Sequence, residues 1–135
     1  MRIVLLVCAV LLWANVMLAA PAPPKDEDMP GAIQYYLAIR EASALGSILS
    51  AEMATRTEDE PRRQELEAIR VRILKPRLYT NRLELLDGVL ANPQTILKRD
   101  LTPLERAALK AKRAEIDRAY QKAIERGEVE KNPPR

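Results

Sequence analysis

The chain has 135 residues, carries 22 Lys and Arg against 19 Asp and Glu for a net charge of +3, and contains neither His nor Phe. Its single Cys (Cys8) and single Trp (Trp13) both fall near the start, so everything beyond lacks a disulfide framework, a thiol nucleophile, an imidazole and the preferred zinc ligands. The two signs of charge are interspersed, and no basic block is interleaved with aromatics, so nucleic-acid binding has no support.

Arg2 is followed by an apolar run from Ile3 to Ala14, then Asn15, then "VMLAAPAPP". A basic start, an apolar stretch and a small-residue exit predict a signal peptide over residues 1–22. Cleavage is expected near 19–22, where Ala20-Pro21-Ala22 satisfies the small-x-small rule and the bond after Ala19 is the alternative. An uncleaved leader would sit at the lower edge of a membrane span, and only through it would the chain touch a membrane. The predicted location is therefore extracellular, or periplasmic in a bacterium. No Asn-x-Ser/Thr sequon occurs.

Residues 23–135 suffice for one domain. About a quarter of them are Leu, Ile, Val or Met, which clears the floor for folding with little to spare. Stability at the lower end of roughly 5–15 kcal/mol follows, and a homo-oligomer would add the burial a small core lacks.

In chain order, residues 23–30 ("PPKDEDMP") are expected to be an acidic, proline-rich tether. A first helix should run from Gly31 to Thr55, capped by Asp28 and opened by Pro30. Leu37, Leu45, Ile48, Leu49 and Met53 share one arc of it, with Arg40, Ser43, Ser47 and Ser50 opposite. Gln34, Glu41 and Glu52 point into the apolar arc, so Arg62, Arg63 or Arg70 on the next helix is expected to pair with the glutamates. Thr57 and Glu60 form a box-like pair, and Pro61 suits the first turn of a second helix capped by Asp59 or Glu60. Leu66, Ile69 and Ile73 give that helix a narrow stripe, and Pro76 should end or kink it.

Beyond Pro76, Tyr79, Leu83, Leu86 and Leu90 lie on one side of a helix, and Leu78, Leu85 and Val89 widen that side to nearly half the circumference. A face so wide belongs in the middle of a bundle. "ANPQ" ends it and "TILKRD" is a short turn. "LTPLERAALK" then opens the last helix, Pro103 to about Arg126, with Thr102 as N-cap, Pro103 in the first turn and Glu105 completing a capping box. Its stripe is thin: Leu109, Ile116, Tyr120 and Ala123, with Ile124 at the edge. Glu115 to Arg118 and Lys122 to Glu125 are charge pairs at helical spacing. Gly127 suits the C′ position, and residues 127–135 are expected to be a flexible tail. The predicted fold is all-α, a small three- to four-helix bundle over residues 31–126 after an N-terminal signal peptide, with flexible proline-rich N- and C-terminal ends.

Chemistry is scarce. Serine would have only Lys as a base, and there is no Gly-rich phosphate loop and no calcium loop. Glu41 and Glu52 stand about 16 Å apart along a helix, too far for a glycosidase pair. No catalytic residue, cofactor or metal site is assigned, and the chain is expected to act by binding a protein partner. The first helix is the least charged, so Tyr35, Tyr36, Arg40, Glu41 and Glu52 are the candidate contact residues. A second reading is a secreted, hormone-like precursor cut at Arg62-Arg63, Lys98-Arg99 and Lys112-Arg113.

"LTPLERAALKAKRAEI" resembles the LTxxQ stretch of small periplasmic stress chaperones. Leu101 and Thr102 match, Glu105 stands where that family has Gln, and its second copy of the motif is missing. The resemblance implies an exported helical hairpin that chaperones other proteins. "PPKDEDMPGAIQYYLAIR" is similar to the start of neuropeptide Y-like hormones, but the amidated Arg-x-Arg-Tyr/Phe end of that family is absent.

Overall fold

A computed structural model describes residues 22–56 and 59–130. The leader and cleavage site expected from the sequence, Thr57 of the box-like pair, and residues 131–135 of the expected tail lie outside the described residues. The described chain is helical, with no strand: a short 3-10 turn at Asp26–Asp28, then α1 (Gly31–Thr55), α2 (Glu60–Ile69), α3 (Lys75–Ala91), α4 (Pro93–Leu97) and α5 (Pro103–Glu125). Helix α3 packs against both α1 and α5, and α2 packs against α1. The central place of α3 follows from its wide apolar side, which buries Leu85, Leu86 and Val89 between its two neighbours. The core also takes Ile33 and Leu37 from α1, and Ala108, Leu109 and Ile116 from α5. Tyr79 of α3 stacks on Tyr120 of α5, ring centroids 5.2 Å apart, and burial raises the pKa of the Tyr120 phenol.

Helix α1 begins and ends as its sequence suggests, but its cap and its buried face differ. Pro30 is the N-cap and no side chain caps the helix. The Asp28 carboxylate instead accepts the Lys25 N–H at 2.8 Å and closes the preceding turn. Asp28 lies two residues before the N-cap, outside the reach that capping needs. The buried residues are Ile33, Leu37, Ala44 and Ile48, whereas Leu45, Leu49 and Met53 are 43%, 57% and 68% exposed. Large residues occur nearly all round α1, so their spacing alone does not select the packed side.

The second and third helices run into each other through residues 70–74, which form a π-helical turn. The N–H of Lys75 reaches back five residues to the carbonyl of Arg70. The α-helical run does end before Pro76, as expected, at Ile69; the wide turn follows, and Pro76 sits fully buried in the first turn of α3. In that ladder Val71 would next receive an N–H from Pro76, and proline has none. Its carbonyl accepts the backbone N–H of Glu130 instead, at 3.3 Å.

That bond holds the start of the segment read as a loose tail. Gly127 has φ +73°, its N–H goes to Ile124, and the N–H of Glu128 goes to Ala123. This is a Schellman ending, and it uses glycine because the left-handed conformation is free of a Cβ clash there. The turned chain then buries Val129 and pairs Glu130 with Arg72 at 2.8 Å. At the other end, the stretch read as a tether also lies against the bundle: Met29 and Pro30 are buried, and Asp26 pairs with Lys112 of α5 at 2.9 Å.

Candidate functional site

The structure separates the candidate contact residues into two groups. Arg40, Glu41 and Glu52 are engaged within the molecule. Arg40 donates from Nη1 to the backbone carbonyl of Asn81 at 2.6 Å, tying α1 to α3. Glu52 meets Arg70 at 2.8 Å, as its position facing the next helix suggested. Glu41 pairs with Arg82 of α3 at 3.6 Å and with none of the three arginines expected, because α1 leans on α3 at that level and reaches α2 only near its end. Arg70 also binds Glu67, and its Nε is buried without a hydrogen-bond partner.

Tyr35 and Tyr36 are different. They are 64% and 44% exposed, and their rings touch only edgewise, with centroids 5.9 Å apart. At about 100° per residue, Tyr35, Ile39, Leu49 and Met53 lie opposite the buried stripe of Ile33, Leu37, Ala44 and Ile48. Ala38, Ala42 and Gly46 fill the space between them, and the side bears no charged residue. Leu45 borders this face and also lines a cavity of about 210 Å³ with Ile48, Lys75, Leu78, Tyr79, Glu128 and Val129. Sequence reasoning picked the two tyrosines and the helix, but it placed Leu45, Leu49 and Met53 in the core. The missed signal was a second arc of large residues, Tyr35, Ile39, Leu49 and Met53, opposite Ile33, Leu37, Ala44 and Ile48, which one broad wheel arc blends into the first.

The candidate processing pairs are scattered. Arg62 and Arg63 lie in the first turns of α2, where the Arg62 N–H is taken by the Asp59 cap at 3.0 Å and Arg63 pairs with Glu60. Lys112 and Arg113 lie within α5, Lys112 between Asp26 and Glu115, and Arg113 paired with Asp87. Burial lowers the Lys112 pKa, but the two carboxylates outweigh it and leave the ammonium above its ordinary value. Among the described residues Glu115 thus pairs with Lys112 and not with the expected Arg118, and no ion pair joins Lys122 to Glu125.

Lys98 and Arg99 follow α4, Lys98 in a left-handed conformation at φ 59°. The Arg99 guanidinium grips Glu105 with two bonds of 2.7 and 2.8 Å. Glu105 also accepts the Thr102 N–H at 2.9 Å, and Thr102 Oγ1 accepts the Glu105 N–H at 3.1 Å, completing the capping box. The Arg99 bond foremost, and the Thr102 N–H after it, lower the Glu105 pKa to about 2. Thr102 and Glu105 of the motif that resembles a chaperone signature thus start the helix.

Among the described residues no group of acidic side chains is arranged to hold a metal ion, and no helix is long and apolar enough to cross a membrane. The fold is an all-α helical bundle, and its open feature is one uncharged helix face. No protein family, no curated protein and no solved structure matches the chain.

Proposed function

We propose that this chain is a small exported helical protein that works by binding a protein partner and has no catalytic activity. One observation carries the proposal: the outward face of α1 exposes Tyr35, Ile39, Leu49 and Met53 together with no charge among them. Isolated apolar residues on a surface are ordinary, whereas a contiguous group of this size marks contact surfaces. Tyrosines at one end add rigid anchors with a polar tip. Export rests on the leader, and the absence of catalysis rests on a chain without His, whose only Cys lies in that leader.

The precursor reading has less support. Two of its three dibasic pairs are helical, and at the third the Arg99 side chain is chelated by Glu105. The chaperone reading rests on a phrase whose Thr102 and Glu105 are used in capping.

The test is capture of partners from the fluid into which the protein is released, with the wild-type chain and a Tyr35→Ser, Leu49→Ser variant as baits. Specific material retained by the first and lost from the second is expected. Equal retention by both baits would assign binding to another surface.

A further inference from the structure

We infer that the outward face of α1 is covered by α1 of a second copy of this chain, the two helices pairing antiparallel about a two-fold axis near Ala42 and Gly46. The inference rests on the reading of this face as a contact surface and adds what occupies it.

Area is the first argument. Tyr35, Ile39, Leu49 and Met53 are between 45% and 68% exposed, with Leu45 (43%) at one edge of the face and Tyr36 (44%) at the other. With large aromatic side chains offering 150–250 Å² each and aliphatic ones somewhat less, they present roughly 600 Å². The largest apolar patch of an ordinary monomer ends about there, and the face with its edges supplies about three quarters of the roughly 800 Å² each partner buries in a stable interface. A helix of 25 residues is about 37 Å long, enough to supply such a strip by itself.

Charge is the second argument. A face without charge offers nothing to a partner chosen by electrostatics. A membrane-surface helix would need several flanking Lys or Arg, yet the one cation beside this face is Arg56 at the C-cap, and within α1 the charged residues are Arg40, held by Asn81, and the acidic Glu41 and Glu52. A copy of the same uncharged strip meets no such mismatch.

Gly46 supplies the third. It sits in the interior of α1, where glycine weakens a helix, and it is exposed. A Cβ added there would meet nothing within 4 Å, as at Gly88, so packing within the protomer requires neither glycine. What sets Gly46 apart is its place among Tyr35, Ile39, Leu49 and Met53, where the missing side chain lets another backbone approach closely. An antiparallel two-fold centred between Ala42 and Gly46 sets Gly46 against the partner subunit's Ala42, Leu49 against the partner's Ile39 and Met53 against the partner's Tyr35. Each contact occurs twice, as a two-fold interface requires.

The experiment is sedimentation equilibrium of the chain, expressed from its whole coding sequence and taken in the form the cell delivers. It compares wild type, Gly46→Lys and Gly88→Lys. Gly88 is the matched control: an exposed glycine inside α3, also with nothing within 4 Å of an added Cβ. Both substitutions favour helix, so circular dichroism should show both variants folded. The expected result is a dimer for wild type and Gly88→Lys that persists in high salt, with loss to monomer for Gly46→Lys. A dimer that Gly46→Lys leaves intact overturns the inference, because another face then mediates it. A wild-type monomer at every attainable concentration also overturns it. In that case, a partner from the native fluid or phosphatidylcholine vesicles bound by wild type and lost with Gly46→Lys would leave the contact-surface reading standing. Binding of neither would end both.

Discussion

The carbonyl of Val71, in the π-helical turn, is bonded by the backbone N–H of Glu130, fifty-nine positions later in the chain. The proline at 76 leaves that carbonyl without its helical donor, and the end of the chain supplies one. The same local irregularity lets a buried proline stay inside a continuous helical path and makes a docking point for the segment after α5.

Val129 should therefore matter more than its place near the terminus suggests. It is buried, whereas its neighbour Glu128 is exposed. Val129→Ala is expected to lower stability by about 1–2 kcal/mol, and Glu128→Ala by less than about 0.5. Urea unfolding followed by circular dichroism compares them. Equal effects would mean that the tail is not part of the folded unit.

Glu105 should make the bundle acid-sensitive. Its pKa is lowered from 4.5 to about 2 in the folded protein, so folding gains from the ionised form. For a carboxylate with a depressed folded value, that gain is complete above pH 4.5 and is lost as pH falls from there towards about 2. Glu105→Gln should cost about 1–2 kcal/mol at neutral pH and progressively less through that window. Urea midpoints across the acid range read the difference directly. A gap that stays constant with pH would contradict the assignment.

Lys98 ends α4 in a left-handed conformation, with a Cβ that is disfavoured there. Lys98→Gly should raise stability by about 0.5–1 kcal/mol, because relief of the clash exceeds the added freedom of the unfolded chain. The Arg99 clamp on Glu105 stays intact in this variant. Thermal melts of the two proteins decide it. The same variant removes a dibasic pair, so unchanged mass of the released material would show that no cleavage occurs at that bond.

Leu86 and Asp87 are adjacent in α3 and should behave oppositely. Leu86 is completely buried, and Leu86→Ala is expected to cost about 3–4 kcal/mol, a large share of the stability of so small a core. Asp87 pairs with Arg113 at the surface, its side chain 52% exposed. Asp87→Ala should cost less than about 1 kcal/mol. Chemical denaturation of the two variants measures both.

Helix ends were largely legible in the sequence because they depend on near neighbours. The Thr102–Glu105 box, the Asp59 cap and glycine at 127 each act over a few bonds, and each appears where its residues stand. The wide apolar side of α3 was legible for a similar reason, since seven large residues on one side leave it only a central place. Which side of α1 is buried was not. Apolar residues occur nearly all round that helix, and only the docking of Ile33 and Leu37 against Leu86 and Leu109 chooses between sides.

By itself, then, the sequence determined the all-helical class, the caps at Asp59 and Thr102, the glycine stop at 127, and the absence of His throughout and of Cys beyond Cys8. Those properties follow from residue type and from interactions within one or two turns. The tertiary structure alone decided that Glu41 pairs with Arg82, that the turn before Pro76 is π-helical, and that Val129 is buried. It also decided that Tyr35, Ile39, Leu49 and Met53 face outward together. Each of these depends on which helix lies beside which, and that is set by the summed burial of residues far apart in the chain.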